Sequence, residues 1–490
     1  MNVFPMRTLG LSLLLICYFL LPPLSSQAQL SNPYDYQHLS HLVNTRLRDS
    51  LKKHWTSPSL YTNKETQKKF KEFWDARTSF IVEAIDGKNF IQEREVYAYI
   101  ERIVDQLQQA NKNLIPQKPI LLIDRSGAVN AYSAGGHIIA VNLGLIAFAT
   151  SREEIALVIA HELAHDILQH AENSMKERAE WFTSVEYKKS LTEVLDSKYE
   201  RYSRLKKLME GYTFNRTRHN RYHEGEADSL AVVLLRNSSI AFDAAHFLRL
   251  DSADTQFQQP LKQALKAYFT TYNLPFEEAW TQKKSKGLSS KSYQFNKGNE
   301  LSDSLRTHPD CQTRYEKTKA LTTTKGTLTP VPAALLNKVN KMIIWNTFDN
   351  RNLTACLYRI LQEVDKGQAD DWHAFMLFNV FSGLAYADEQ LERFNTINVI
   401  SKEYISTSYY ELQTMLEQMP REMLEQYYKK LTEQGFWQQL PADGRSLKSF
   451  FTTILRQDAS DKVKEQAART FATSHASSMY CELADHFIKK

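Results

Sequence analysis

The stretch Ser151 to His170, SREEIALVIAHELAHDILQH, decides how this chain is read. Ile155, Ile159, Leu163 and Ile167 recur every four residues, as on one face of a helix. Ser151 suits the N-cap, and Glu153 and Glu154 complement the positive end of the helix dipole. Within that helix His161 and His165 stand four residues apart, so both imidazoles project from one face, a single turn from each other. Two imidazoles so placed suit one zinc ion. Glu162 adds a carboxylate beside them, and hydrolytic zinc sites combine three protein ligands, an open position for water and a nearby proton acceptor.

The third ligand decides the kind of site. A glycine-broken HExxHxxGxxH is excluded, because the sixth residue after His165 is Ala171 and no glycine bends the helix. His170 lies five residues beyond His165, where a continuing helix turns it well away from the histidine face. It reads as a helix-end histidine, favourable near the negative end of the dipole. A better partner lies in Arg221 to Leu235, RYHEGEADSLAVVLL. Glu224 and Asp228 are again four apart, on a helix expected to turn Ala227, Leu230, Val233 and Leu234 toward a core. Glu224 is the expected third ligand, with Asp228 hydrogen-bonding the free ring nitrogen of a ligand histidine.

Upstream, Asn130 to Ile146 reads NAYSAGGHIIAVNLGLI. β-branched and aromatic residues flank Gly135-Gly136, which predicts a strand, a tight turn, and a second strand running into a short helix. A strand beside the histidine helix can pair with an extended substrate main chain to main chain, and Asn130, Ala131, Tyr132, Ser133, Ala134 and Gly135 are the residues expected to do so.

Together, HELAH, the EGEAD segment, the glycine hairpin and RTHPDCQTR (306–314) occur in the order found in the metallopeptidase family of the HtpX proteases, the CAAX prenyl endopeptidases and the periplasmic beta-barrel assembly-enhancing protease. The chain resembles that family over roughly Glu83 to Leu321. The resemblance implies a zincin-like fold with one Zn2+ per chain on His161, His165 and Glu224, Glu162 as base and Asp228 behind the ligands. It also implies that His308 and Arg314 lie near the metal or substrate, His308 as a plug or a catalytic aid. A positively charged or hydrogen-bonding group there would help hold an oxyanion.

The chain opens with Arg7, an apolar run from Leu9 to Leu21, Pro22-Pro23, and small residues at Ser26 and Ala28. That pattern predicts a signal peptide over 1–28 and export, and the resemblance implies a gram-negative periplasm as the destination, with secretion the other outcome. A lipoprotein reading at Cys17 fails because bulky Ile16 precedes it. No later segment carries 18 uninterrupted apolar residues, so no transmembrane span is expected in the mature chain, and the membrane-embedded members of the family are the poorer likeness. The remaining cysteines, Cys311, Cys356 and Cys481, imply neither a disulfide framework nor a metal site.

With 61 Lys and Arg against 56 Asp and Glu, the net charge of +5 is mild for 490 residues, and nucleic acid is not an expected partner. The densest basic stretch, Arg201 to Arg221, reads as a solvated helix face. Residues 29–87 look helical, with the patch KKFKEFW, and brace a catalytic unit at 88–320. In that unit Val96, Ile100, Ile103, Val104 and Leu107 mark a helix and Ile120 to Ile123 a strand. Asp166 to His223 is long enough for two helices standing over the cleft as a lid. The polar stretch Lys283 to Asn299 is a second candidate gate. A linker, LTTTKGTLTPVP (321–332), precedes an all-helical domain at 333–490, with helices around Leu353 to Val364 and Trp372 to Leu384 but no fixed repeat.

The fold class expected is therefore α+β, mainly α, and the activity expected is zinc-dependent cleavage of polypeptide substrates. Family likeness suggests misfolded or misassembled envelope proteins, with an envelope-protein partner on the C-terminal helices. Two other readings stay open: a latent, plugged chaperone or scaffold acting through the C-terminal helices, and a structural zinc protein whose shell His308 closes.

Overall fold

Strand Ile138–Asn142, with sequence IIAVN, is buried along its whole length, and its two faces serve two different cores. Ile139 and Val141 enter the main hydrophobic cluster, while Ile138 and Ala140 enter a second one on the opposite face of the sheet. This alternation is the strand period of two, with both faces covered by helices.

The computed structural model describes residues 36–38, 41–87, 89–197, 199–255, 257–283, 311–323, 328–440, 442–454, 459–476, 484–485 and 487–488. The signal peptide expected at 1–28, His308, Cys481 and all but the first residue of the Lys283 to Asn299 stretch lie outside the described residues. Among the described residues the strands are β1 (Tyr36–His38), β2 (Phe90–Glu93), β3 (Ile120–Asp124), β4 (Ala131–Gly135) and β5 (Ile138–Asn142), in the sheet order β1-β2-β3-β5-β4. β3 and β5 run parallel and the other pairs antiparallel, which leaves β4 at an edge. β1 corrects the wholly helical reading of 29–87: the segment also lends the sheet a short strand that pairs with β2.

Helices α1 (His41–His54) and α2 (Lys64–Asp86) cover one face, where Leu51, Ile81, Ala84 and Ile85 meet Phe90, Leu122, Ile138 and Ala140. The other face carries α3 (Arg94–Ala110), α4 (Leu143–Phe148), α5 (Arg152–Ile167) and α8 (Arg201–Asn237), the last 37 residues long. Between α5 and α8 come α6 (His170–Thr183) and α7 (Val185–Asp196), so the expected pair of helices between the two motifs is present, followed by the first half of α8. α6 packs against α2 through Phe70, Trp74, Met175 and Ala179.

α5 is buried on nearly all sides, as the central helix of a core should be. Ser151 caps it, accepting from the Glu154 N–H at 3.2 Å. It packs against α8, and both helices bury alanines, Ala156, Ala160 and Ala164 on one and Ala227 and Ala231 on the other, small side chains that let two backbones approach closely. One expected core residue of α8 is misplaced: Val233 is 42% exposed, and Ala231, Val232 and Leu235 are buried instead.

Beyond the linker, helix Ala333–Asp349 packs on α3 and α4, and Leu353–Asp365 and Asp371–Glu389 follow. The main cluster is continuous from the histidine helix into these helices. The linker is itself tied to the start of α5: the Arg152 N–H donates to the Thr329 carbonyl at 2.8 Å, and the Thr329 N–H donates to Glu153 Oε2 at 2.9 Å. Among the described residues no helix is long and apolar enough to cross a membrane.

Candidate metal centre

α5 presents His161 and His165 one turn apart, and α8 brings Glu224 against them from about sixty residues further along the chain. His161 Nε2 and His165 Nε2 lie 3.0 Å apart, and the Glu224 carboxylate oxygens stand 3.3 Å from the first and 3.4 Å from the second. Ligand atoms 2.0–2.1 Å from a tetrahedral ion are separated by about 3.3 Å, so the three groups already have the spacing of three corners of a zinc shell. His161 and Glu224 are buried and His165 is partly exposed, the side from which a substrate can enter.

The charges around this triad favour a cation. Burial works against a charged His161, yet hydrogen bonds with Asp228 and Glu224 overcome it and lift the ring to about 9. A metal ion would take the place of that proton. Asp228 Oδ1 lies 2.9 Å from His161 Nδ1, so the ring donates there and keeps its Nε2 lone pair for the triad. Asp228 in turn is held down to about 2, because the bonds from His161 and Arg314 outweigh its burial.

Arg314, expected beside the reacting carbonyl, sits elsewhere. Its Nε and Nη2 donate to the two oxygens of Asp228 at 2.9 and 2.6 Å, and its guanidinium lies over Phe247. Nη2 is 3.3 Å from His161 Nδ1, the ring edge facing away from the triad. A buried guanidinium takes the carboxylate that matches its fork, and Asp228 is that carboxylate. Arg314 therefore supports Asp228 from behind His161.

Glu162 Oε2 accepts the Ser133 main-chain N–H at 2.9 Å, which ties the carboxylate beside the histidines to the edge strand β4. One turn on, Asp166 accepts the His137 N–H at 3.0 Å and contacts its ring Nδ1 at 2.7 Å. Two carboxylates on one face of α5 thus hold the hairpin. Asp166 was missed from sequence, although its place four residues after Glu162 was a signal.

The hairpin turn is made by Gly135, Gly136 and His137, all at positive φ. A Cβ on Gly136 would lie 2.0 Å from Trp55 Nε1, so the N-terminal helices press directly on the turn. Behind it Arg77 lies between the Trp55 and Trp74 rings and donates to Glu172 at 2.7 Å. Of the six residues expected to meet substrate, Tyr132 and Ala134 turn their side chains to the opposite core, and the Asn130 carbonyl accepts the Asn142 N–H. Ala131 is buried in the main core, the Ser133 N–H is taken by Glu162, and the Gly135 N–H donates to Ser133 Oγ at 3.2 Å.

His170 also departs from expectation. α5 ends at Ile167, Gln169 takes a left-handed conformation at φ 53°, and α6 begins at His170. The chain doubles back, so His170 is buried with its Nδ1 2.8 Å from His165 Nδ1. Burial and the neighbouring His165 and His223 rings push it down to about 3, which keeps it neutral.

Residues 92–322 match the model of Peptidase family M48, which supports a metallopeptidase. No curated protein matches the chain. The protein is accordingly a metallopeptidase, of a family whose members are generally zinc-dependent, with polypeptides as its class of substrate.

Proposed function

We propose that this chain is an exported zinc endopeptidase that cleaves misfolded or misassembled proteins of the cell envelope. The observation that carries the peptidase reading is the meeting of His161, His165 and Glu224 at tetrahedral spacing, with Glu162 bonded to the open edge of β4. Zinc in that triad would supply Lewis acidity, polarising a peptide carbonyl and making a water acidic enough to attack it at neutral pH. The chain does the rest. β4 offers its main chain to an extended substrate segment, which suits unfolded polypeptide because pairing through the backbone asks little of sequence. Glu162 removes the proton from the attacking water and returns it to the leaving amine. Asp228 fixes the tautomer of His161, and Arg314 fixes Asp228.

The envelope setting rests on the signal-peptide pattern of 1–28 and on the family likeness. In the same reading the C-terminal helices receive an envelope partner, with Leu391 and Phe394 the most exposed of the large apolar side chains described there.

Cleavage of unfolded casein by the chain lacking residues 1–28 tests the activity. We expect Glu162→Gln to lower the rate about 10²–10⁴-fold with zinc content unchanged. Equal cleavage by Glu162→Gln, or none by the parent, refutes the proposal. Recovery in the osmotic-shock fraction tests the location.

A further inference from the structure

His161 has a partner behind it, Asp228, whereas among the described residues no carboxylate stands in the same place behind His165. What stands there is His170, Nδ1 to Nδ1 at 2.8 Å, with the two rings nearly perpendicular at 72°. On an unbroken helix a residue five positions on is turned about 140° away. The contact therefore exists only because the left-handed Gln169 ends α5 and starts α6 one residue later. On its far side His170 places Nε2 3.5 Å from Glu226 Oε2 and stacks on His223 at 4.3 Å. Both belong to α8, the helix that carries Glu224.

The protons follow from the geometry. Two ring nitrogens at 2.8 Å need a single hydrogen between them. If His165 directs its Nε2 lone pair at the triad, its proton lies on Nδ1, and it is the donor. His170 then accepts at Nδ1 and carries its own proton on Nε2, on the side of Glu226.

We infer that His170 is the positioning residue of His165, setting its tautomer and ring orientation as Asp228 does for His161, with Glu226 closing the relay. The inference rests on the proposed triad of His161, His165 and Glu224. It makes the pair α5–α8 symmetrical in function: each ligand histidine on α5 has its outer nitrogen engaged, and each relay ends on a carboxylate of α8.

A rival use of the same residues is a second metal ion, since His170, His223 and Glu226 bring ligand atoms within 4.8 Å of one another. Proton counting opposes it. A metal on His170 Nε2 while Nδ1 accepts from His165 would require the ring to lose both protons. The His170 and His223 planes are also only 15° apart and stacked, and in-plane lone pairs of stacked rings do not converge on one point.

The test uses the chain lacking residues 1–28, with zinc content by elemental analysis, zinc affinity by chelator competition, and the visible spectrum of the cobalt-loaded protein. His170→Leu fills the space without an acceptor, and His170→Asn puts an oxygen where Nδ1 was. We expect one zinc per chain, a dissociation constant raised about 10–100-fold in His170→Leu with a changed cobalt spectrum, and values within a few-fold of the parent in His170→Asn. If His170→Leu does not fold, the planar His170→Phe replaces it. An affinity and spectrum unchanged in the apolar variant, with zinc binding lost in His161→Ala, overturns this inference and leaves the triad standing. An Asn variant as impaired as the apolar one also overturns it. Two zinc ions per chain, one lost in His223→Ala, overturn it in favour of a second site. Failure of the parent to bind zinc, or unchanged binding by His161→Ala, removes the triad and the inference together.

Discussion

Replacing Arg314 by methionine should destabilise the whole catalytic unit, and its size can be worked from the contacts. The guanidinium and the Asp228 carboxylate are exposed by only 7% and 6%, and two hydrogen bonds join them. Methionine keeps an apolar stem against Phe247 but leaves Asp228 with His161 alone to balance a buried charge. Removing one partner of such a pair costs about 3–5 kcal/mol. At the 2–4 °C per kcal/mol of a domain this size, Tm should fall by roughly 6–20 °C. Asp228→Asn should be destabilising for the converse reason, since it strands the arginine, although an asparagine oxygen still accepts from His161 Nδ1. The double variant carries no unpaired charge and should recover most of the loss. Circular dichroism melts of the three variants, with zinc and with chelator, are the assay. A fall below about 2 °C for Arg314→Met, or a double variant as impaired as the sum of the singles, would refute the account of Arg314 as the buried counter-charge of Asp228.

Gly136→Ala should lower stability by about 1–3 kcal/mol in denaturant titration, because a Cβ at φ +58° meets Trp55 Nε1 at 2.0 Å; an unchanged midpoint would mean that the N-terminal helices do not press on the hairpin. Ser133→Pro deletes the N–H that holds Glu162 and should reduce kcat/KM on casein roughly tenfold with zinc content intact, an expectation that full activity would contradict. Asp370 caps helix Asp371–Glu389; burial opposes its charge, but bonds with His373 and Lys341 outweigh that and hold its carboxyl well below the usual range. With its folded value depressed, its contribution is complete above the unfolded value of about 3.9 and disappears as pH falls below it. Asp370→Asn should therefore lower Tm at pH 7 and flatten its acid limb, and parallel Tm–pH curves would count against this.

Much of the site was legible because its parts are local. The histidine helix announced itself by periodicity and a capping serine. The hairpin was marked by its glycines, and Glu224 and Asp228 by a second spacing of four. These are short-range patterns, and backbone geometry converts them into shared faces without help from the rest of the chain. The strand at Tyr36–His38 was hidden because three residues make too short a pattern to alternate visibly. Val233 was misjudged because the buried arc of α8 is chosen by where α5 lies, not by α8 itself.

The sequence by itself determined the class of chemistry: two imidazoles and a carboxylate on one helix, and an acid on a second helix able to join them. Tertiary structure alone decided which side chains stand behind those four. Arg314 meets Asp228 across 86 residues of chain, and no periodicity encodes that meeting. His170 reaches His165 because Gln169 adopts a left-handed conformation that no glycine foretells. Contacts of this kind are selected by the packing of α5 against α8, where burying a charge or a ring nitrogen is tolerable only with a partner in place, and the partner is whichever residue the fold delivers.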